Sequence, residues 1–368
     1  MPVKEKKLSA LEQKLNDLVE TYLKRIPFAQ KLMVFHHLQV MIGAGLSIVA
    51  ALKILSEEIE NKKLRKIVGV VKTEVEKGKQ LSEALSAYPR VFSPLYVGMI
   101  AAGETAGQLE QSLKNAYTQM HKSQELARKV RGAMIYPIVI FVAMGGVAVE
   151  VVFFVLPKIM VMFTEFNAQL PLSTRILIAI TKFGQNYGPY IILVLVATAI
   201  AFSMAMRREN FRRHIDSLIL HLPIFGNIVK KVNLARFTMT LSSLLQSSIP
   251  IIDAMHTAAE SQGNLIYRDT LLAAVERIKK GEALSIILSH SPKIFPPMVT
   301  EMIMVGEESG QVEKMLLEMS DYYTDEVDDI MNNFSKIIEP VVILILGLAT
   351  AGIAVAVIMP MYSLAQSF

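Results

Sequence analysis

The sequence predicts an all-α membrane protein with two tandem homologous cytoplasmic helical-bundle domains and three transmembrane helices. Three observations predict it. Mean hydropathy is +0.40, too apolar for a soluble chain of 368 residues, of which 52% are hydrophobic and only 19% charged. Three stretches have the length and composition of a bilayer span. The chain also repeats itself at one fixed offset. The same composition excludes disorder and a collagen-like repeat. With no Cys there is no thiolate chemistry, disulfide scaffold or Cys-based zinc site. Trp is absent, and 11 Tyr with 16 Phe are too few for an aromatic-rich β-barrel.

Residues 1–33 read as an N-terminal amphipathic helix. Leu8, Leu11, Leu15, Leu18, Tyr22 and Leu23 share a face, while Lys14, Asp17 and Glu20 interrupt the run, so no cleavable signal is expected. Residues 34–135 form the first cytoplasmic helical repeat. Leu64, Ile67, Val68, Val71 and Val75 follow helical spacing, Gly78 sits where a helix end favours αL, and Pro89 and Pro94 mark a turn. Transmembrane helix 1 is placed at 138–156, with Glu150 its single charge; at ~1.5 Å per residue it reaches about 28 Å. Residues 157–189 are expected as an external loop. Transmembrane helix 2 follows at 190–206, after Gly188-Pro189 and without a charge. The second cytoplasmic repeat with its lead-in occupies 207–339, where Leu271, Leu272, Val275 and Ile278 again keep helical spacing before Gly281. Transmembrane helix 3 spans 341–359, uncharged, and 360–368 is a short external tail. No stretch alternates as a strand would.

Orientation follows the flanking cations. Arg128, Lys129 and Arg131 precede the first span, and Arg207, Arg208, Arg212 and Arg213 follow the second. The N-terminus and both repeats are therefore expected in the cytoplasm, with the 157–189 loop and the C-terminus outside.

The repeat has an offset of 203 without a gap. Gly78, Pro89, Phe92 and Pro94 fall on Gly281, Pro292, Phe295 and Pro297, while Gly103-Glu104 and Gly107 fall on Gly306-Glu307 and Gly310. Pro137 and Pro157 fall on Pro340 and Pro360. Each copy is a helical unit followed by an outward-running span, so the copies are parallel. The middle span returns the chain inside.

The repeated Gly-Glu-x-x-Gly is the sharpest local feature. One reading is a helix–helix corner, with glycines turning the chain and the Glu meeting the positive end of the next helix. The other is an acidic surface for a partner or cation. A single Glu per copy lacks the second group catalysis needs. Glu150, an ionisable residue inside a span, is either a polar helix–helix contact or a group snorkelling to the outer interface. Its counterpart in the third span is Ile353. The histidines do not converge: His36 and His37 are adjacent, and His214 and His221 are two turns apart. No G-x-x-x-x-G-K-[ST], nucleophile elbow or His-Glu-x-x-His occurs.

Charge divides unevenly. Residues 1–135 hold 21 basic and 13 acidic side chains, net +8, whereas 207–339 hold 14 and 18, net −4. Asp325, Glu326, Asp328 and Asp329 form an acidic run just before the third span. An anionic leaflet repels such a run, so it is expected to face a basic surface, either Lys122–Arg131 of a neighbouring protomer or a partner protein. Nucleic acid is not expected, because no aromatic residues interleave with the basic ones.

Several stretches together resemble the GspF/PilC family, the polytopic inner-membrane platform proteins of type II secretion and type IV pilus machines. They are Lys129-Val130-Arg131-Gly132-Ala133-Met134-Ile135-Tyr136-Pro137, closed by Val155-Leu156-Pro157; Leu222-Pro223-Ile224-Phe225-Gly226 with Leu234-Ala235-Arg236-Phe237; the paired Gly-Glu-x-x-Gly motifs; and Ser248-Ile249-Pro250-Ile251 with its counterpart Gly45-Leu46-Ser47-Ile48. The resemblance covers about residues 30 to 365. Longer members carry a further N-terminal module, and the short form here is similar to the competence-pseudopilus branch or to a divergent pilus system. Membership implies a non-enzymatic platform without a cofactor. It would contact a cytoplasmic assembly ATPase, pilin or pseudopilin subunits, other inner-membrane assembly proteins, membrane lipids and further copies of itself. A transporter or channel is the alternative class, but three spans with one charge and no broken helix make a poor pathway. A membrane-embedded enzyme would lack an acid–base pair.

Overall fold

The computed structural model describes residues 26–155, 157, 172–223 and 225–365. The helix expected at Leu8–Leu23, the 158–171 part of the expected loop and the last three residues of the tail lie outside them. Among the described residues every regular element is helical. The first copy comprises α1 (Phe28–Gly43), α2 (Ile48–Glu58), α3 (Lys62–Glu76), α4 (Leu81–Ser86), α5 (Pro94–Thr105) and α6 (Leu109–Glu150), the last passing into a π-helical turn at Val151–Val155. After α7 (Leu172–Ala205) and α8 (Glu209–His221), the second copy comprises α9 (Phe225–Gln246), α10 (Ile251–Glu260), α11 (Leu265–Ile278), α12 (Leu284–Ser289), α13 (Pro297–Ser309) and α14 (Val312–Ala365). Ile48 and Ile251, Lys62 and Leu265, Leu81 and Leu284, Pro94 and Pro297, and Leu109 and Val312 each open matching helices 203 residues apart.

Local chemistry sets those starts. Asn61 Oδ1 accepts from the Leu64 N–H at 3.0 Å, and Asn264 Oδ1 accepts from the Ile266 N–H at 2.9 Å. Each occupies one of the orphan donors that every helix start exposes. Pro94 and Pro297 stand in the first turn, where a missing N–H costs nothing. Gly78 and Gly281 end α3 and α11 at φ +94° and +87°, a conformation glycine adopts without a Cβ clash.

Each copy has its own aromatic core, built from different positions around one shared ring. In the first, Phe35 and Tyr96 meet Phe92 and Phe35 edge-on, with centroids 6.0 Å apart in both pairs. In the second, Phe237 and Tyr267 meet Phe295 at 5.7 and 5.5 Å. Phe35 and Tyr96 correspond to Thr238 and Val299, while Phe237 and Tyr267 correspond to Val34 and Leu64. Two rings are lost and two gained, a volume-conserving exchange of the kind cores tolerate. The Tyr267 hydroxyl donates to the Ile294 carbonyl at 2.8 Å, as a buried phenol requires.

Packing divides the chain into two compact units. One joins the described residues up to Leu126 with Val229–Thr324, so helices of both copies form one body. The other joins Ala127–Ile228 with Asp325–Phe368. This grouping cuts across the boundaries at 135 and 339 that the repeat suggests. Leu109–Val147, whose residues from Ala127 onward belong to the second unit, and Asn186–Ala205 are apolar and long enough to contain membrane spans, and Glu339–Leu348 is a shorter apolar stretch within α14. Ile138, Val139, Phe141 and Val142 on α6 and Leu193 to Val196 on α7 are exposed, as a lipid-facing surface would be.

Two expectations change here. Residues 138–156 are not a separate helix, because α6 runs through Pro137 unbroken; the change at 138 is one of side-chain polarity, not of backbone. The expected loop 157–189 is helical from Leu172 onward. There Leu, Ala and Lys are good helix formers, and Gly188-Pro189 lies inside the helix rather than ending it. A Cβ on Gly188 would stand 3.2 Å from Phe153, so the glycine allows α7 to approach the π-helical turn closely.

Candidate functional site

The Gly-Glu-x-x-Gly corner recurs with the same geometry in both copies. The N–H of Leu81 donates to Glu104 Oε1 at 2.6 Å and that of Ser82 to Oε2 at 2.9 Å. In the second copy Leu284 N–H and Ser285 N–H donate to Glu307 at 2.6 and 3.2 Å, and the Ser285 hydroxyl donates to the same carboxylate. The carboxylate thus caps α4 or α12, the short helix 22 to 23 residues earlier, and not the helix that follows, as the sequence had suggested. A six-residue helix consists largely of unsatisfied ends, which is why a charged acceptor at its start matters. The first glycine permits contact: a Cβ on Gly306 would lie 2.8 Å from Val312 Cα, and one on Gly103 would collide with the Ser112 side chain. The second turns the chain, Gly107 and Gly310 both having φ +68°.

Between the copies, inside the first unit, lies a small polar seam. Gln119 of α6 donates to Thr240 Oγ1 at 3.2 Å and accepts from Ser243 Oγ at 2.8 Å. Asn115 Nδ2 donates to Ser247 Oγ at 3.4 Å. Nearby, burial pushes the Tyr96 phenol up to about 12, with a Ser123 hydrogen bond and the Arg236 charge acting in the opposite direction. Burial also lowers the Arg236 guanidinium from its ordinary value. A Cβ on Gly263 would stand 2.8 Å from Arg236 Nη1.

The acidic run is partly compensated within its own chain. Lys122 Nζ lies 3.1 Å from Asp321 Oδ1, and Lys129 Nζ lies 3.3 Å from Asp328 Oδ2. Lys122 and Lys129, from the basic segment before the first span, therefore pair with acids before the third in the same molecule, an arrangement the sequence reading, which looked to a neighbouring protomer or a partner protein, had not considered. Asp325 and Asp329 stay exposed, and Glu326 is half-buried. Glu150 is exposed at the last residue of α6, directly before the π-helical turn. His36 and Tyr117 stack with centroids 4.8 Å apart, and His37 Nδ1 lies 3.4 Å from Glu58. Among the described residues no three of His, Cys, Asp and Glu gather as metal ligands would.

These features describe duplicated helical units held by caps, close glycine contacts and ion pairs. A family model described as type II secretion system (T2SS), protein F, matches residues 34–157 and again 237–360, two ranges that are themselves 203 apart. The chain belongs to this family. Relatives of the protein F family align along nearly all of it. A type IV pilus assembly protein PilC of Thermus thermophilus is 37% identical over 93% of this chain and 84% of its own length. That of Myxococcus xanthus is 34% identical over 88% and 78%. A type II secretion system protein F of Aeromonas hydrophila is 33% identical over 90% and 85%. Both Gly-Glu-x-x-Gly corners and both halves of the Lys129–Asp328 pair fall inside the matched domains.

Sequence reasoning missed the caps Asn61 and Asn264, although an Asn before an apolar periodic run, repeated at 203, is a readable start signal. It also missed Gln119, for which no signal existed: its counterpart is Tyr322.

Proposed function

We propose that this protein is the non-enzymatic inner-membrane platform of a type IV pilus or type II secretion assembly machine. It couples a cytoplasmic assembly ATPase to the insertion or extraction of pilin subunits. The observation that carries this reading is the duplicated domain, shared along nearly the whole chain with proteins named for pilus assembly and for type II secretion. In this reading 138–156, 190–206 and 341–359 cross the membrane, and both copies lie on the cytoplasmic side with the C-terminus outside. The sequence has no G-x-x-x-x-G-K-[ST], so nucleotide hydrolysis belongs to the ATPase, and the platform transmits motion. The corner residues Gly103, Glu104, Gly107, Gly306, Glu307 and Gly310 keep each bundle rigid enough to do so. Exposed Asp325 and Asp329 offer an acidic docking surface beside the membrane.

The test is to isolate the tagged chain from native membranes and identify what accompanies it. An assembly ATPase and a pilin should co-purify, and deletion should abolish fibres or secretion while the ATPase still turns over. Ion or solute flux through reconstituted vesicles, or ATP turnover by the purified chain, would overturn the proposal.

A further inference from the structure

The contact between the two copies is one-sided. The first copy contributes α5 and α6, and the second contributes α9 and α10. Helix α5 packs against α10. Gln119 of α6 is only 2% exposed where it bonds Thr240 and Ser243 of α9. A closed two-fold relation would form the same contact twice, the second time between α13/α14 and α1/α2. The residues for that second contact are bare. Tyr322, the counterpart of Gln119, is 42% exposed, and Val40, the counterpart of Ser243, is 51% exposed. Met298 is 42% exposed where its counterpart Leu95 is 8%. Met304 and Val305, at 44% and 48%, stand where the first copy has Ala101 and Ala102.

Tyr322, Val40, Met304 and Val305 are each larger and more apolar than their counterparts Gln119, Ser243, Ala101 and Ala102, which marks a covered surface. Charge adds to this. Glu301 and Glu308 are exposed on α13, where α5 has Gly98 and Thr105. On α2 the exposed side chains are Lys53, Glu57 and Glu58, so Lys53 is the one there that can pair with those acids. A heterologous contact with one unused face of each kind is an open segment, which another identical segment extends or closes into a ring.

We infer that a second copy of this chain packs its α1/α2 face, with Val40 and Lys53, onto the α13/α14 face formed by Met298, Met304, Val305 and Tyr322. The contact between chains repeats the one made within the chain. This deepens the homo-oligomeric part of the platform reading and rests on it.

The chain has no native Cys, so the test is clean. Full-length Val40→Cys and Tyr322→Cys, carrying different tags, are mixed in membranes and treated with a short bismaleimide. A cross-linked heterodimer is expected from the mixture and none from either variant alone. Met304→Glu with Val305→Glu, at exposed positions, should leave the melting temperature unchanged and weaken self-association about tenfold or more. Cross-linking of Tyr322→Cys with itself would mean a two-fold contact and overturn the proposal, as would intact self-association of the double Glu variant. Oligomers that form without the heterodimer cross-link, while ATPase and pilin still co-purify, would refute this face and spare the platform reading. Loss of that co-purification from the unmodified chain would instead count against the platform.

Discussion

Glu104 and Glu307 each place one carboxylate across two backbone donors of a short helix, and an amide in its place keeps an acceptor for one donor and turns an NH2 toward the other. Glu307→Gln should destabilise the full chain by about 1–3 kcal/mol, the cost of a lost charged hydrogen bond with unmatched partners. The exposed neighbour Glu308→Gln should change it by less than about 0.5 kcal/mol. Thermal unfolding in detergent separates the two. Gly306→Ala should cost a similar 1–3 kcal/mol, roughly the penalty of overpacking, because the new Cβ meets the Val312 backbone rather than a flexible side-chain end. The turn before α10 carries a different strain. Ser248 holds φ +59° where the first copy has Gly45 at φ +88°, and the left-handed region costs an L-residue about 1–2 kcal/mol. Ser248→Gly should therefore raise stability, by roughly 0.5 kcal/mol after glycine's extra chain entropy is subtracted. Gly45→Ser should lower it. A melting temperature that falls for Ser248→Gly would show the turn to be unstrained.

Among elements, α6 and α14 carry the ion pairs Lys122–Asp321 and Lys129–Asp328. Their side chains are partly exposed, so each pair contributes at most about 1 kcal/mol. Lys129→Glu should weaken the chain by up to that amount, and Asp328→Lys in the same molecule should restore it. Independent, additive losses would show that the two do not interact. The sequence revealed where α5 and α13 begin and where α3 and α11 end, since Pro94, Pro297, Gly78 and Gly281 act through local backbone rules that need no tertiary context. It did not reveal that α6 passes through Pro137, because a proline inside a long helix and one at its edge read alike. Nor did it reveal that Glu104 reaches back to α4, because the dipole argument supplies the sign of the contact but not which helix end is in reach.

For the whole molecule, the duplication and the apolar stretches were readable because both are one-dimensional patterns. The joining of the two soluble copies into one compact unit was not, since it depends on Gln119, Thr240 and Ser243 meeting across more than a hundred residues of sequence. That joining sharpens the topology. If both copies pack as one body, both must lie on the same side of the membrane, and the chain between them must cross an even number of times. Ser86 and Ser289 are exposed, repeat-equivalent positions in that body. They are better probes than Asn61 and Asn264, whose side chains cap helices. The most direct measurement is labelling of single-Cys variants with an impermeant maleimide. Asn167→Cys should label in intact cells, while Ser86→Cys and Ser289→Cys should label only after the inner membrane is permeabilised. Labelling of Ser86→Cys and Ser289→Cys on opposite sides, or of Ser289→Cys in intact cells, would contradict the three-span platform.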